Sequence, residues 1–197
     1  MSRTRRFDRT FAKAALVAAV VAVGCTVSAP STVLAQDGGS KQALGSMFRV
    51  VNQIGARELW KHGITGQGIN VAVIDTGVAP VAELRSADKV VAVADLSAEA
   101  AVPEATYLDT YGHGTHIAGI IAGKTPGADP AQAAQHPEWF MGVAPDAGIV
   151  SVKVADNTGA ADISQVIAGV DWVVDHAATL HIRVLNLSYT SHSPLPY

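Results

Sequence analysis

The chain of 197 residues contains one cysteine, Cys25. A single cysteine cannot form a disulfide within the chain, and it excludes zinc sites built from several cysteines. Cys25 lies in the N-terminal segment, so a mature protein cut after Ala35 would have no cysteine at all. The core of such a protein must hold the fold together without covalent cross-links.

Charged residues are also scarce, at 16% of the chain, whereas 49% of the residues are hydrophobic. This balance is typical of a globular protein with a well-buried core. The formal net charge is −3, and the first 35 residues are basic, so the remainder of the chain is more acidic than the total. An acidic body argues against nucleic acid or an anionic membrane surface as a partner.

The N-terminal segment has the pattern of a secretion signal. Basic residues precede an apolar run from Ala14 to Cys25, which is shorter than the roughly 18 residues that span a bilayer. Small residues follow, and Val33-Leu34-Ala35 offers a cleavage site. We therefore expect residues 1–35 to be a signal peptide and the protein to be secreted.

Other interpretations of this segment stay open. It could instead form a buried N-terminal helix, and Arg5-Arg6 suggests the twin-arginine export route as an alternative to ordinary secretion. Lipid attachment at Cys25 is less favoured, because Ala22 stands where a lipoprotein cleavage site usually has a larger apolar residue.

The rest of the chain alternates between strand and helix patterns, after an expected linker over residues 36–50. The predicted strands are residues 69–74, 89–95, 149–154 and 182–187, and the predicted helices are residues 50–62, 116–123 and 162–179. Residues 124–138 are expected to form a surface loop. The alternation predicts an α/β layered domain with a mainly parallel sheet over residues 51–197.

Asp75 and His113 are the strongest candidates for a chemical role. Asp75 follows the apolar strand 69–74, and sites in parallel α/β sheets form where strands end. A buried carboxylate needs a partner, because an unpaired buried charge is costly. An imidazole whose Nδ1–H bonds the carboxylate keeps Nε2 free as a general base. From the residues alone, structural roles for both side chains, as caps or turn formers, stay open.

Four stretches of the sequence, in this order, resemble the signatures of the subtilisin-like serine proteases (peptidase S8). They are Val73-Ile74-Asp75-Thr76-Gly77, then His113-Gly114-Thr115-His116-Ile117-Ala118-Gly119, then Gly142-Val143-Ala144-Pro145-Asp146-Ala147 with Val152-Lys153-Val154, and last Asn186-Leu187-Ser188. The resemblance covers roughly residues 52–190. It implies a three-layer sandwich of helices around a mainly parallel sheet, and a hydrolase that cleaves extended polypeptides.

The resemblance also assigns roles to single residues. Asp75 would orient the imidazole, and His113 would act first as general base and then as acid toward the leaving amine. Ser188, Tyr189 and Thr190 would pair with the substrate backbone, although the family usually has glycine where Thr190 stands. His116 would be structural and packed behind the site, and Asp109 is expected to be a solvated loop carboxylate. The family requires no cofactor, and structural calcium is common in it.

The nucleophile and the oxyanion-hole asparagine of the family have no counterpart up to Tyr197. Gly45-Ser46-Met47 is similar to the family's serine motif, but it precedes Asp75 and belongs to the linker. We therefore expect an incomplete catalytic domain, its N-terminal portion, that is inactive alone. An incomplete parallel sheet would expose an apolar edge and favour aggregation.

Two alternatives follow from these gaps, and two others are disfavoured on the residues themselves. The chain could be a non-catalytic pseudo-protease that binds peptides, or half of a split enzyme completed by a separate C-terminal chain. A nucleotide-binding α/β domain is disfavoured, because no glycine-rich phosphate loop follows the first strand. A metal site at His113 and His116 is disfavoured too, because no carboxylate or cysteine lies at helical spacing from them.

Overall fold

A computed structural model of the chain describes residues 46–189. Two short helices, α1 (Met47–Gln53) and α2 (Ala56–Lys61), come first. The remaining elements are β1 (Asn70–Asp75), β2 (Val90–Asp95), α3 (His113–Ala122), β3 (Gly148–Lys153), α4 (Ile163–His176) and β4 (Ile182–Leu187). Two single 3-10 turns lie at Ala82–Leu84 and Pro130–Gln132. The predicted signal peptide and most of the predicted linker lie outside the described residues.

The four strands form one sheet in the order β2-β3-β1-β4, and all three strand pairs are parallel. Strand β1 is therefore an inner strand, with β3 on one side and β4 on the other. Its last residue, Asp75, is level with Lys153 of β3. This arrangement confirms the predicted α/β architecture with a parallel sheet.

Helices cover both faces of the sheet, because the side chains of β1 alternate between two buried clusters. The cluster beneath α4 contains Ala72, Ile74, Val150, Val152, Val166 and Val173. The cluster beneath α3 contains Val71, Val73, Ala118, Ala122 and Ile149. Strands β1 and β3 are thus buried on both sides, which is why their sequences are continuous apolar runs without polar alternation.

The predicted helix over residues 50–62 is wrong as a single element. Gly55 adopts a φ of +77° and separates α1 from α2, a conformation that favours glycine. The apolar residues of this segment do not share one buried face: Val51 and Trp60 are buried, whereas Ile54 and Leu59 are exposed.

A third cluster forms around Trp60, whose Nε1 donates a hydrogen bond to the carbonyl of Val143 at 3.0 Å. Ala128, Ala133 and Met141 pack in this cluster. The predicted surface loop over residues 124–138 therefore contributes buried side chains, and it anchors the two N-terminal helices. Helix α1 begins at Met47, so the last residues of the predicted linker are helical.

Helix α4 begins with a capping box that the sequence analysis did not use. The Asp162 side chain accepts from the Ser164 backbone N–H at 2.8 Å, and the Gln165 side chain accepts from the Asp162 N–H at 2.7 Å. Such a cap satisfies N–H groups that a helix start leaves free. The helix ends at His176, three residues before the predicted end.

Several apolar side chains remain exposed on α4 and at the β4 edge of the sheet. On α4, Ile163, Ile167 and Val174 are each more than half exposed, and Val184 and Leu187 of β4 are also exposed. Among residues 46–189, no strand pairs with the outer edge of β4. This matches the expected apolar edge. No helix in the same range is long and apolar enough to cross a membrane.

Candidate active site

Asp75 ends the inner strand β1 as a nearly buried carboxylate, with 2% of its side chain exposed. Its Oδ1 accepts a hydrogen bond from the backbone N–H of Thr76 at 2.7 Å. Four apolar or small residues precede it in the strand, so the backbone that carries it is held in the sheet interior. The carboxylate is therefore fixed at the carboxyl end of the sheet, where sites of this fold class form.

His113 is the first residue of α3, and it faces Asp75. Its Nδ1 lies 2.8 Å from Oδ1 and 2.9 Å from Oδ2 of Asp75. An ionised carboxylate only accepts hydrogen bonds, so Nδ1 carries the proton in this pair. Nε2 is then the basic nitrogen, and no hydrogen-bond partner for it is present among residues 46–189. The imidazole is 43% exposed, so an external group can reach Nε2.

Gly114 allows α3 to approach the end of β1 this closely. A Cβ atom at Gly114 would lie 2.2 Å from the carbonyl oxygen of Gly77 and 3.2 Å from the Cβ of Asp75. The Gly114 N–H also donates to Oγ1 of Thr76 at 2.8 Å. Only a residue without a side chain fits between the two segments, and the distance between Asp75 and His113 depends on it.

Asp109 ties the same two segments together, which the sequence analysis did not foresee. Its carboxylate accepts five hydrogen bonds, listed by donor as Thr76 Oγ1, Tyr111 N, Gly112 N, Thr115 N and Thr115 Oγ1. Burial alone would raise the pKa of Asp109, but the hydrogen bonds from Thr115, Gly112 and Thr76 outweigh it and hold the pKa below its ordinary value. The expectation of a solvated loop carboxylate is wrong.

An open cavity of about 600 Å³ lies in front of the imidazole. Asp75 and His113 form part of its wall, together with Ser188 and Tyr189 just after β4. The turn over residues 158–161 also lines it. The cavity is therefore a cleft between the carboxyl ends of the strands, with the exposed imidazole at its edge.

Comparison with known proteins identifies the family. The sequence model of the Subtilase family, peptidase S8, matches residues 66–196. The chain belongs to the subtilase family. The minor extracellular protease Epr of Bacillus subtilis is 35% identical over 142 residues, which are 72% of this chain and 19% of Epr. The thermostable alkaline protease of Halalkalibacterium halodurans is 34% identical over 143 residues, which are 73% of this chain and 34% of that protein.

Subtilisin E of Bacillus subtilis is 33% identical to this subtilase over 143 residues, which are 70% of this chain and 31% of subtilisin E. The chain thus spans 19% to 34% of the length of these three relatives. The matches confirm the resemblance to the serine proteases of peptidase S8, with the N-terminal part of the catalytic domain as the matching region.

The three residues predicted to pair with substrate fall at the end of the described chain. Ser188 and Tyr189 both line the cleft, and Oγ of Ser188 accepts a hydrogen bond from Nδ2 of Asn186 at 2.9 Å. Thr190, with its departure from the family glycine, lies outside the described residues. Ser188 is the serine that lines the cleft in residues 46–189, and its hydroxyl is not bonded to His113.

His116 does not pack behind the site, contrary to expectation. It is exposed one turn further along α3, where it lines a separate, smaller cavity with Glu83, Leu84 and Phe140. Within the described part of this subtilase, no three side chains of the histidine, cysteine, aspartate and glutamate types converge as a metal-ion site. The structural calcium suggested by the resemblance stays a prediction.

Proposed function

We propose that this chain supplies the orienting aspartate and the general base of a secreted serine endopeptidase. The observation that carries the proposal is the bond from Nδ1 of His113 to the buried Asp75, with Nε2 exposed at the cleft. Asp75 holds the imidazole in one tautomer and stabilises its charge once it gains a proton. The relatives named above support a protease, and one of them is described as extracellular.

In this mechanism, His113 Nε2 takes the proton of a serine hydroxyl as the oxygen attacks a peptide carbonyl. The imidazolium, paired with Asp75, then donates that proton to the leaving amine. The chemistry needs no cofactor. The acyl-enzyme that remains is hydrolysed when His113 activates a water molecule in the same way.

The substrate would bind as an extended strand along Ser188, Tyr189 and Thr190. This mode of binding adds a strand to a sheet, with main-chain hydrogen bonds for affinity and pockets for alternate side chains. The exposed position of Ser188 and Tyr189 beside the cleft supports it. The polypeptide lies between this segment and the turn 158–161, with its scissile bond toward His113.

The nucleophile and the oxyanion donor are proposed to come from a complementary C-terminal segment or chain. Without them, the proposal predicts an inactive protein that still binds peptides in the cleft. Residues 1–35 are proposed to act as the export signal.

A fluorophosphonate probe tests the proposal on the purified protein, together with a fluorescent peptide substrate. We expect peptide binding without labelling or turnover by the chain alone. Addition of a polypeptide that carries the family's serine motif should restore turnover. His113→Ala should then lower the rate by at least about 100-fold, the smaller end of a general base's usual contribution. His136→Ala is the matched control, because that histidine pairs with Glu138 on the exposed surface.

Two results would contradict parts of this proposal. Labelling of the chain alone that disappears in Ser188→Ala would make Ser188 the nucleophile and remove the need for a complementary segment. Absence of both peptide binding and turnover, with and without the serine-bearing polypeptide, would refute the proposed function as a whole.

A further inference from the structure

Lys153 is a fully buried lysine at the carboxyl end of β3, level with Asp75 on the neighbouring strand. Lysine is rarely buried unless it is paired, because removing an ammonium from water is costly. The side chain therefore needs partners that compensate its charge.

Within residues 46–189, the hydrogen-bond partners of the ammonium all lie in the loop between β2 and α3. Nζ donates to Oε2 of Glu99 at 2.7 Å, to the carbonyl of Ala105 at 3.1 Å and to the carbonyl of Leu108 at 2.6 Å. Oγ1 of Thr110 lies 3.4 Å away. Glu99 is only 13% exposed, and the hydrogen bonds from Lys153 and Thr110 lower its pKa.

These hydrogen bonds hold the loop in place on both sides of Asp109. Leu108 precedes Asp109, and its carbonyl accepts a hydrogen bond from Lys153. Thr110 follows Asp109, and its hydroxyl donates to Glu99 at 2.7 Å. Asp109 in turn holds Thr76, next to Asp75, and Gly112, next to His113. Hydrogen bonds and the short stretches of backbone between them thus connect the lysine to both members of the Asp75–His113 pair.

We infer that Lys153 is a positioning residue, which fixes the loop 99–110 and, through Asp109, the hydrogen bond between Asp75 and His113. The inference rests on the proposed function of that pair. A buried lysine of purely structural use would stabilise the fold as a whole. A positioning lysine affects the His113 hydrogen bond more than it affects the rest of the sheet.

The test compares Lys153→Met with Lys124→Met. Methionine keeps the unbranched apolar stem and removes the ammonium in both. Lys124 pairs with Asp146 at 2.6 Å, partly exposed and away from the cleft, so its variant controls for the loss of an ion pair. NMR of protein labelled with ¹⁵N-histidine follows the Nδ1–H proton of His113, assigned by its absence in His113→Gln. Hydrogen exchange follows the amides of Gly112 and Thr115.

We expect Lys153→Met to speed exchange of these two amides at least about tenfold, as removal of a charge-assisted hydrogen bond should. The Nδ1–H signal should broaden or vanish, while Lys124→Met leaves it unchanged. Thr110→Val, at an exposed position, keeps the test usable if Lys153→Met does not fold, because it loosens the same loop more mildly. It should show a smaller change in the same direction.

An unchanged Nδ1–H signal and unchanged amide exchange in the folded variants would overturn the inference and leave the proposed function intact. Absence of the bonded Nδ1–H signal in the wild-type protein would overturn both. The two failures are therefore distinguishable in one set of spectra.

Discussion

Gly114 sets how closely helix α3 approaches the end of β1, and its replacement gives a quantitative test of the site. In Gly114→Ala the new methyl group would lie 2.2 Å from the carbonyl oxygen of Gly77. That atom belongs to the backbone, so no change of side-chain rotamer relieves the overlap. The variant must move the first turn of α3, and His113 with it, away from Asp75.

The expected cost follows from two opposing contributions. Overpacking of this kind destabilises by about 1–3 kcal/mol, and the backbone overlap favours the upper end. Alanine is a better helix former than glycine by up to about 1 kcal/mol, which offsets part of the cost. We therefore expect Gly114→Ala to lower the free energy of unfolding by about 1–2 kcal/mol.

Gly119→Ala in the same helix is the matched control. A Cβ there would lie 3.8 Å from Cζ of Phe140, an ordinary van der Waals contact. The free energy of unfolding of this variant should rise by up to about 1 kcal/mol from helix propensity alone. The free energies of unfolding of the two alanine variants should thus differ by about 1–3 kcal/mol, or roughly 2–12 °C in Tm for a domain of this size.

Urea unfolding followed by circular dichroism measures the difference, with equal slopes expected for both variants. The Nδ1–H proton of His113 should weaken in Gly114→Ala and stay in Gly119→Ala. Equal stability of the two variants, or a Gly114→Ala protein with an intact Nδ1–H signal, would refute the argument that close packing at Gly114 creates the Asp75–His113 contact.

Two further predictions concern pH and surface association. The pKa of Asp109 in the folded protein lies below its unfolded value of about 3.9, so the unfolded chain binds more protons at this residue. The stability that Asp109 adds above about pH 4 is therefore lost as the pH falls through the folded pKa. Urea unfolding between pH 2.5 and 6 should show a shallower pH dependence in Asp109→Asn than in the wild type, and parallel curves would contradict this. The double variant Ile167→Lys/Val174→Lys removes two exposed apolar side chains from α4. Its self-association constant in sedimentation experiments should be at least about tenfold lower, since each apolar side chain contributes about 1.5–3 kcal/mol when buried. The exposed Ala168→Lys adds charge on the same helix without removing a large apolar group, and an equal effect of that variant would count against the apolar explanation.

The strands could be predicted from sequence because each depends on local pattern, whereas the roles of Asp75 and His113 were assigned by the resemblance to the subtilisin-like proteases. Continuous apolar runs define β1 and β3, and the rule that sites form at the carboxyl ends of parallel strands brings Asp75 toward a helix start. The same rule does not specify Asp109. Its five hydrogen bonds arise only once the loop has folded against Thr76 and Thr115.

Other differences have equally specific causes. Gly55 was visible in the sequence, but the apolar spacing on either side of it suggested one helix, and the positive φ that separates two helices is a property of the folded chain. From the sequence, Lys153 is predicted only to be a strand residue between two valines. Its importance depends on a loop some 50 residues away in sequence whose carbonyls converge on it.

The inner position of β1 also has a consequence for how the chain folds. The strand pairing of shortest range joins β2 to β3, as in Ala92 with Val150. Strand β1 pairs across longer stretches still, Asn70 with Gly148 and with Ile182. Contacts between residues so distant in sequence require large loops to close, and domains dominated by them fold slowly. During synthesis, strand β1, which carries Asp75, can therefore pair along both of its edges only after more than a hundred later residues have been made.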